Sequence, residues 1–328
     1  MIQGNIGQSI FDGPLPRWLA LYLAGGSFVP ALFLVIAGMT VFYTTIYKQY
    51  TLQHYLIRAG TLFVTAAIVI DVFVWGLIPF VGVDVLYMIG LSLPVAYLFR
   101  RLPTRWRWLL VITIFASTPI LQRLLGYDIH PTAIRLSGEN SIQNQFRAMP
   151  VLKHWLIDGW FPVVPWLGFA LFGVNLGILR WQKKTLATFA QRNVLLIGGL
   201  IMSIGLVMWW MYDGPLYNRG GFREIFYPPT LAYIVTVTGQ IMLLASFVDW
   251  KPGLFVYKPL RVYGESALFM YWTHHVIIRY LKPVDTLGAV FATLGIGIVV
   301  TLVLAYALQR VRRRWPNRPA LLRYVLGI

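Results

Sequence analysis

The chain has 328 residues, 58% of them hydrophobic and 12% charged, with no cysteine and a formal net charge of +17. A mean hydropathy of +0.67 leaves too few polar residues to cover a soluble globule of this size, so the long apolar runs predict an all-α, polytopic membrane helix bundle. The missing cysteines exclude disulfides, thiolate nucleophiles and cysteine metal sites, and a basic excess without any nucleic-acid-binding motif points to loops facing anionic lipid headgroups.

A span needs roughly 20 apolar residues to cross ~30 Å of hydrocarbon. Nine stretches qualify in chain order: 18–46, 59–80, 83–99, 106–125, 160–179, 194–212, 230–248, 264–281 and 286–309. Gly25, Gly26 and Pro30 predict a break in the first. The opening MIQGNIGQSIFDGPLPRW lacks the basic start and apolar core of a cleavable signal peptide. Between the fourth and fifth spans lies the most polar piece, 126–158, containing YDIHPTAIRLSGENSIQNQF; a second polar loop, YDGPLYNRGGFREIFYPP, covers 212–229. Aromatic and amide side chains in these loops suit stacking on a sugar and bonding to it, or an ordered lid. Residues 310–328 form a basic tail, and the whole chain reads as one domain.

The lysines and arginines orient the bundle. With the C-terminus inside, 19 of the 28 fall in inner segments, among them Lys48, Arg58, Arg100, Arg101, Arg180, Lys258 and Arg261. Nine spans then place the N-terminus outside, in what is expected to be a bacterial cytoplasmic membrane.

Ionisable groups at membrane depth cost on the order of 2.5–3.5 kcal/mol each on insertion scales, so the few present are candidates for function. Asp71 sits mid-span in VTAAIVIDVFVWG, Asp84 at the outer entrance of GVDVLYMIGLS, and Glu265 near the inner end of ESALFMYWTHHVIIRY. His274 and His275 lie ~15 Å further along that last helix at 1.5 Å per residue, near the midplane. Adjacent helical residues point ~100° apart, so one histidine faces a cavity and the other a neighbouring helix. His275 shares its face with Tyr271 and Arg279, His274 with Met270 and Ser266. An imidazole titrates near neutral pH and takes a proton from an attacking hydroxyl or amine; Asp84 or Asp71 is placed to hold its tautomer. His130 and His154 lie in a loop without metal-ligand spacing to the pair, so no metal is expected.

Three patches resemble the heparan-α-glucosaminide N-acetyltransferase-like group, as found in bacteria, within the transmembrane acyltransferase superfamily. GWFPVVPWLGFALFGVNLG resembles the family's Phe-Pro-x-x-Pro-Trp-x-Gly helix, here Phe161, Pro162, Pro165, Trp166, Gly168 and the later Gly173. GESALFMYWTHH resembles its Gly, small, apolar-pair, Tyr and His pattern at Gly264, Ala267, Leu268, Tyr271 and His274. FLVIAGMTVFYT and DVLYMIGLSLPVAYLF resemble its early helices, including Asp84. The resemblance implies acetyl transfer across a membrane, from acetyl-CoA inside to a sugar hydroxyl or amine outside. It makes His274 the general base with His275, Asp84 and Asp71 around it; Arg58, Arg100, Arg101, Lys258 and Arg261 become holders of the CoA phosphates. Trp166, Glu265 and Arg279 are candidates for the acceptor side. The family opens with an Arg…Asp…Arg-Gly segment and an extra first helix, whose histidine is commonly assigned to catalysis. The opening MIQGNIGQSIF does not match that segment, so a chain without that helix is expected.

Two other readings use the same residues. A transporter or flippase for a polar or lipid-linked solute fits midplane ionisable groups and proline-broken helices, although the hydropathy shows no inverted repeat. A non-catalytic membrane subunit fits the missing opening segment. A deep passage reaching His274 favours transfer; two symmetry-related halves favour transport; histidines packed away with satisfied nitrogens favour the subunit.

Overall fold

Pro30, in the first turn, opens the first helix of the computed structural model, α1 (Val29–Tyr47); a proline there loses no hydrogen bond, because the first N–H groups have no partner in any helix. The structure describes residues 26–128, 148–186, 188–214, 225–281 and 286–315, with the short pieces 218–219, 222–223, 284 and 319. The part of the first predicted span before residue 26, and most of the polar loop, lie outside them. α2 (Leu52–Thr65) widens without interruption into a π-helical stretch, Ala66–Trp75. It stops at Gly76, whose left-handed φ of +63° glycine adopts without strain. α3 (Val85–Phe99) starts where the Asp84 carboxylate caps it, and α4 (Thr104–Leu125) follows a tight turn.

Short α5 (Ala148–Lys153) passes into a π turn, His154–Asp158. α6 (Val163–Gly177) ends in another, Ile178–Gln182. Then come α7 (Arg192–Trp210), a two-residue hairpin of β1 (Asn218–Arg219) and β2 (Phe222–Arg223), and α8 (Leu231–Trp250). The chain continues with α9 (Tyr257–Glu265), α10 (Ala267–Tyr280) and α11 (Leu287–Arg314). Among the described residues seven helices are long and apolar enough to cross a membrane. The predicted spans 83–99 and 264–281 emerge shorter, as α3 and α10, of 15 and 14 residues. Asp84 caps the one, and the backbone turns at Ser266 to split the other from α9.

α6 is the axis of the bundle, with 78% of its span buried. Gly173 and Gly38 let α1 lie against it: a Cβ on Gly173 would sit 2.8 Å from the Val35 carbonyl carbon, and one on Gly38 would strike the Ala170 carbonyl. Small residues at such crossings give helices close van der Waals contact where lipid removes any hydrophobic drive to associate. The same device joins α7 to α8, where Gly239 abuts the Met202 backbone. α4, α7 and α11 bury only 11%, 17% and 22% of their spans and present leucines, isoleucines and valines outward, as a lipid-facing ring requires.

Cross-links show which helix ends lie together. The Tyr55 hydroxyl bonds to the Thr44 and Thr45 hydroxyls at 2.7 and 2.9 Å. The Tyr97 ring lies 5.4 Å from that of Tyr55. Arg107 reaches Asn175 at 3.0 Å, and Arg180 pairs with Asp249. One end of the bundle therefore gathers Lys48, Arg58, Arg100, Arg101, Arg107, Arg180 and Lys183. The opposite end holds Asp71, Asp84 and the loop between them.

Candidate active site

The π-helical stretch of α2 aims Asp71 inward, where it is buried. Its Oδ2 accepts the Tyr87 hydroxyl at 2.5 Å and the Phe80 amide at 3.2 Å. Phe80 and Val83 hold left-handed φ angles of +70° and +57°, uncommon for non-glycine residues, which tighten the 76–84 loop over this pair. Asp84 divides its two oxygens. Oδ1 accepts the Leu86 amide at 2.9 Å and caps α3; Oδ2 accepts the Tyr271 hydroxyl of α10 at 2.5 Å. A carboxylate pinned at both oxygens cannot swing, so the Tyr271 oxygen is pinned with it.

Both histidines are buried. Nδ1 of His274 lies 2.8 Å from the Met270 carbonyl, and Nδ1 of His275 2.8 Å from the Tyr271 carbonyl. A carbonyl only accepts, so each neutral imidazole carries its proton on Nδ1 and its lone pair on Nε2. The ring centroids are 4.2 Å apart, and the Tyr271 ring is 4.6 Å from that of His275. Trp75 closes against His275 at 6.3 Å, and Arg279 ties α10 to the end of the π stretch through the Val74 carbonyl at 3.3 Å.

A cleft of about 670 Å³ leads to this cluster between α1, α2, α3 and α10. Its mouth, at the basic end, is lined by Lys48, Tyr50, His54 and Arg58, and its far end by Phe33, Val85, Leu86 and Tyr271. Leu62, Ile89, Leu93 and Leu268 make the walls apolar. From Phe33 to Lys48 the α1 lining runs ~22 Å at 1.5 Å per residue.

The structure sorts the residues expected from sequence. Asp84, His274 and His275 come together around Tyr271, with Asp71 joined to Tyr87 nearby. Arg58 lines the mouth. Arg101 stands close to it, its Nη2 3.2 Å from the Tyr97 hydroxyl, and Arg100 stacks on the Tyr97 ring at 4.5 Å. Lys258 instead packs over Phe255, and Arg261 pairs with Glu265 at 3.0 Å; neither lines the cleft. The Arg261 bond, helped by Gln309, holds the Glu265 carboxyl below its usual range, and Arg312 bonds the Glu265 carbonyl at 2.5 Å. Glu265 is thus a joint between α9 and α11. Trp166 is fully enclosed by Phe161, Phe169, Phe226 and Tyr233 and belongs to the core rather than to the cleft wall. His130 lies outside the described residues, and among those described no three metal-ligating side chains cluster.

Sequence reasoning missed three things. Tyr271 was one element of a pattern, yet it, and neither histidine, lines the cleft; the signal was its i−4 relation to His275. Lys48 and His54 join Arg58 only because α1 and α2 meet at a tight turn. His154 and Asp158, four apart in the π turn that follows α5, form a buried pair at 2.6 Å, with Lys153 3.1 Å from the second carboxylate oxygen. Burial alone would raise the Asp158 pKa; the His154 and Lys153 bonds outweigh it and hold the carboxyl below the usual range.

Fold and site define a multi-span membrane protein with a buried acid, tyrosine and histidine cluster at the end of a cleft. The family model described as heparan-alpha-glucosaminide N-acetyltransferase, catalytic, matches residues 15–212, more than half of the chain. The chain belongs to that family, and its type of function is that of a transmembrane acetyltransferase. The match takes in α1 to α7, with Arg58, Asp71 and Asp84; Tyr271, His274 and His275 lie beyond it. No curated protein matches the chain.

Proposed function

We propose that this protein moves an acetyl group from acetyl-CoA, taken up at the basic end, to a hydroxyl or amine of a sugar that reaches the cluster from the other face. The observation that carries this reading is the cleft itself, which joins Lys48, His54 and Arg58 to Tyr271 and Asp84. The parts suit the donor. Phosphates call for clustered cations, and the mouth supplies them, with Arg101 and Arg100 on Tyr97 behind. An apolar passage accommodates the arm that carries a thioester and keeps water from it. Asp84, bonded to the cleft-lining Tyr271, provides a proton acceptor; His274 and His275 pack around that tyrosine, and Asp71 fixes Tyr87 and the loop above it. By the positive-inside rule the basic end faces the cytoplasm of a bacterial inner membrane.

The test uses inverted and right-side-out vesicles containing the protein, given radiolabelled acetyl-CoA at the basic face and a panel of glycans at the other. Label on a glycan, only with donor and acceptor on opposite faces, supports the reading. No label with any acceptor, together with exchange of solute across the vesicle wall, would replace it with transport.

A further inference from the structure

The cluster holds two histidines, yet among the described residues the one polar side chain at the far end of the cleft is Tyr271; Phe33, Val85 and Leu86 around it are apolar. We propose that Tyr271 is the side chain that meets the reacting groups, and that Asp84 receives the acceptor's proton through it. This rests on the reading of the cleft as an acetyl-transfer site.

The placement is over-determined. The phenol oxygen is fixed 2.5 Å from Asp84 Oδ2. Asp84 is itself held by its cap on the Leu86 amide. The backbone of Tyr271 is gripped by His275 Nδ1 on its carbonyl, and its ring is flanked by those of His275 and His274 at 4.6 and 5.5 Å. The histidines thus serve as positioning residues for the tyrosine. A phenol that donates its proton to Asp84 keeps lone pairs with which to accept another hydrogen bond from the cleft side.

The transfer balances without any further reactant. The acceptor's oxygen or nitrogen bonds to the thioester carbonyl carbon, and its proton passes to the Tyr271 oxygen as the phenol's own proton passes to Asp84. The carbon–sulfur bond breaks, and the proton returns by the same two groups to the sulfur. The acyl group has moved from sulfur to oxygen or nitrogen, a proton has moved the other way, nothing is oxidised or reduced, and the pair ends as it began.

Tyr271→Phe keeps the ring between the histidines and removes only the hydroxyl. Asp84→Asn keeps a side-chain oxygen to cap α3 but cannot take a proton. Each is expected to lower kcat about 100-fold or more, within the range for general acid–base groups, while the Kd of acetyl-CoA, measured by calorimetry, moves less than about threefold. Because the two act as one relay, the double variant is expected to be no slower than the worse single one. Tyr271→Phe with more than about a third of wild-type kcat would overturn the proposal, as would losses that multiply in the double variant. Wild-type protein that binds acetyl-CoA but transfers nothing would remove the transfer reading, and this inference with it; full activity in Tyr271→Phe beside an active wild type removes this inference alone.

Discussion

Arg58→Gln isolates the role of the cleft mouth. Arg58 sits there beside Lys48 and His54, half-buried. A hydrogen bond to a charged group contributes ~1.5–3 kcal/mol. A half-buried guanidinium at an open mouth belongs at the lower end, about 1.5–2 kcal/mol, because water and salt screen it within roughly 8 Å. The Kd of acetyl-CoA should therefore rise roughly 10- to 30-fold, with little change in kcat at saturating donor. Arg261→Gln is the control: its partner is Glu265, on α9, and it does not line the cleft. Calorimetric titration in detergent micelles, repeated at low and high salt, reads both. A change below twofold for Arg58→Gln, or an equal loss for Arg261→Gln, would refute the assignment of this mouth to the phosphates and leave only general electrostatics.

Gly173→Ala would press a methyl into the Val35 backbone and cost about 1–3 kcal/mol, because two helices must part; thermal unfolding in micelles should show it, whereas Gly60→Ala, inside α2 with nothing within 4 Å, should keep or slightly raise the midpoint, since alanine suits a helix better than glycine. Asp158 has a lowered folded pKa, so its contribution is fully present above the unfolded value near 4 and is lost as pH falls through the folded one. Asp158→Asn should thus unfold earlier at pH 7, by about 3 kcal/mol for a broken buried pair, and should show a shallower loss of stability than wild type below pH 4; parallel pH profiles would exclude this role. Asp249→Asn weakens an acceptor that joins Arg180 to the Phe189 amide at 2.8 Å and should cost about 1–2 kcal/mol, read as a lower unfolding midpoint with unaltered acetyl-CoA affinity.

The membrane architecture was legible because hydropathy is a sum over many residues, and no single side chain decides it. Asp71, Asp84, His274 and His275 were legible for the opposite reason: each is a costly exception within an apolar background. Tyr271 was not, because a tyrosine in a membrane helix is ordinary, and only the meeting of α10 with Asp84, 187 residues apart in sequence, gives it a partner. Arg58 and Lys258 looked equivalent as basic residues near one surface; helix packing alone separates a mouth residue from one resting on Phe255. Trp166 lay in a motif that suggested a tunnel wall, yet the aromatic residues that enclose it include Phe226 and Tyr233, far along the chain, so its burial could not be read locally.

The wide turns of α2 have a consequence for chain length. Each residue of an ordinary helix advances ~100° around the axis, and a π stretch accommodates an additional residue in each turn. The direction in which Asp71 points is therefore set by how many residues Ala66–Trp75 contains as well as by which residues they are. Removing one residue before Asp71, with every remaining side chain unchanged, would let the helix relax toward its narrower form and carry the carboxylate about a quarter-turn away from Tyr87. Insertions and deletions, more than substitutions, are the changes to which this part of the site is most exposed.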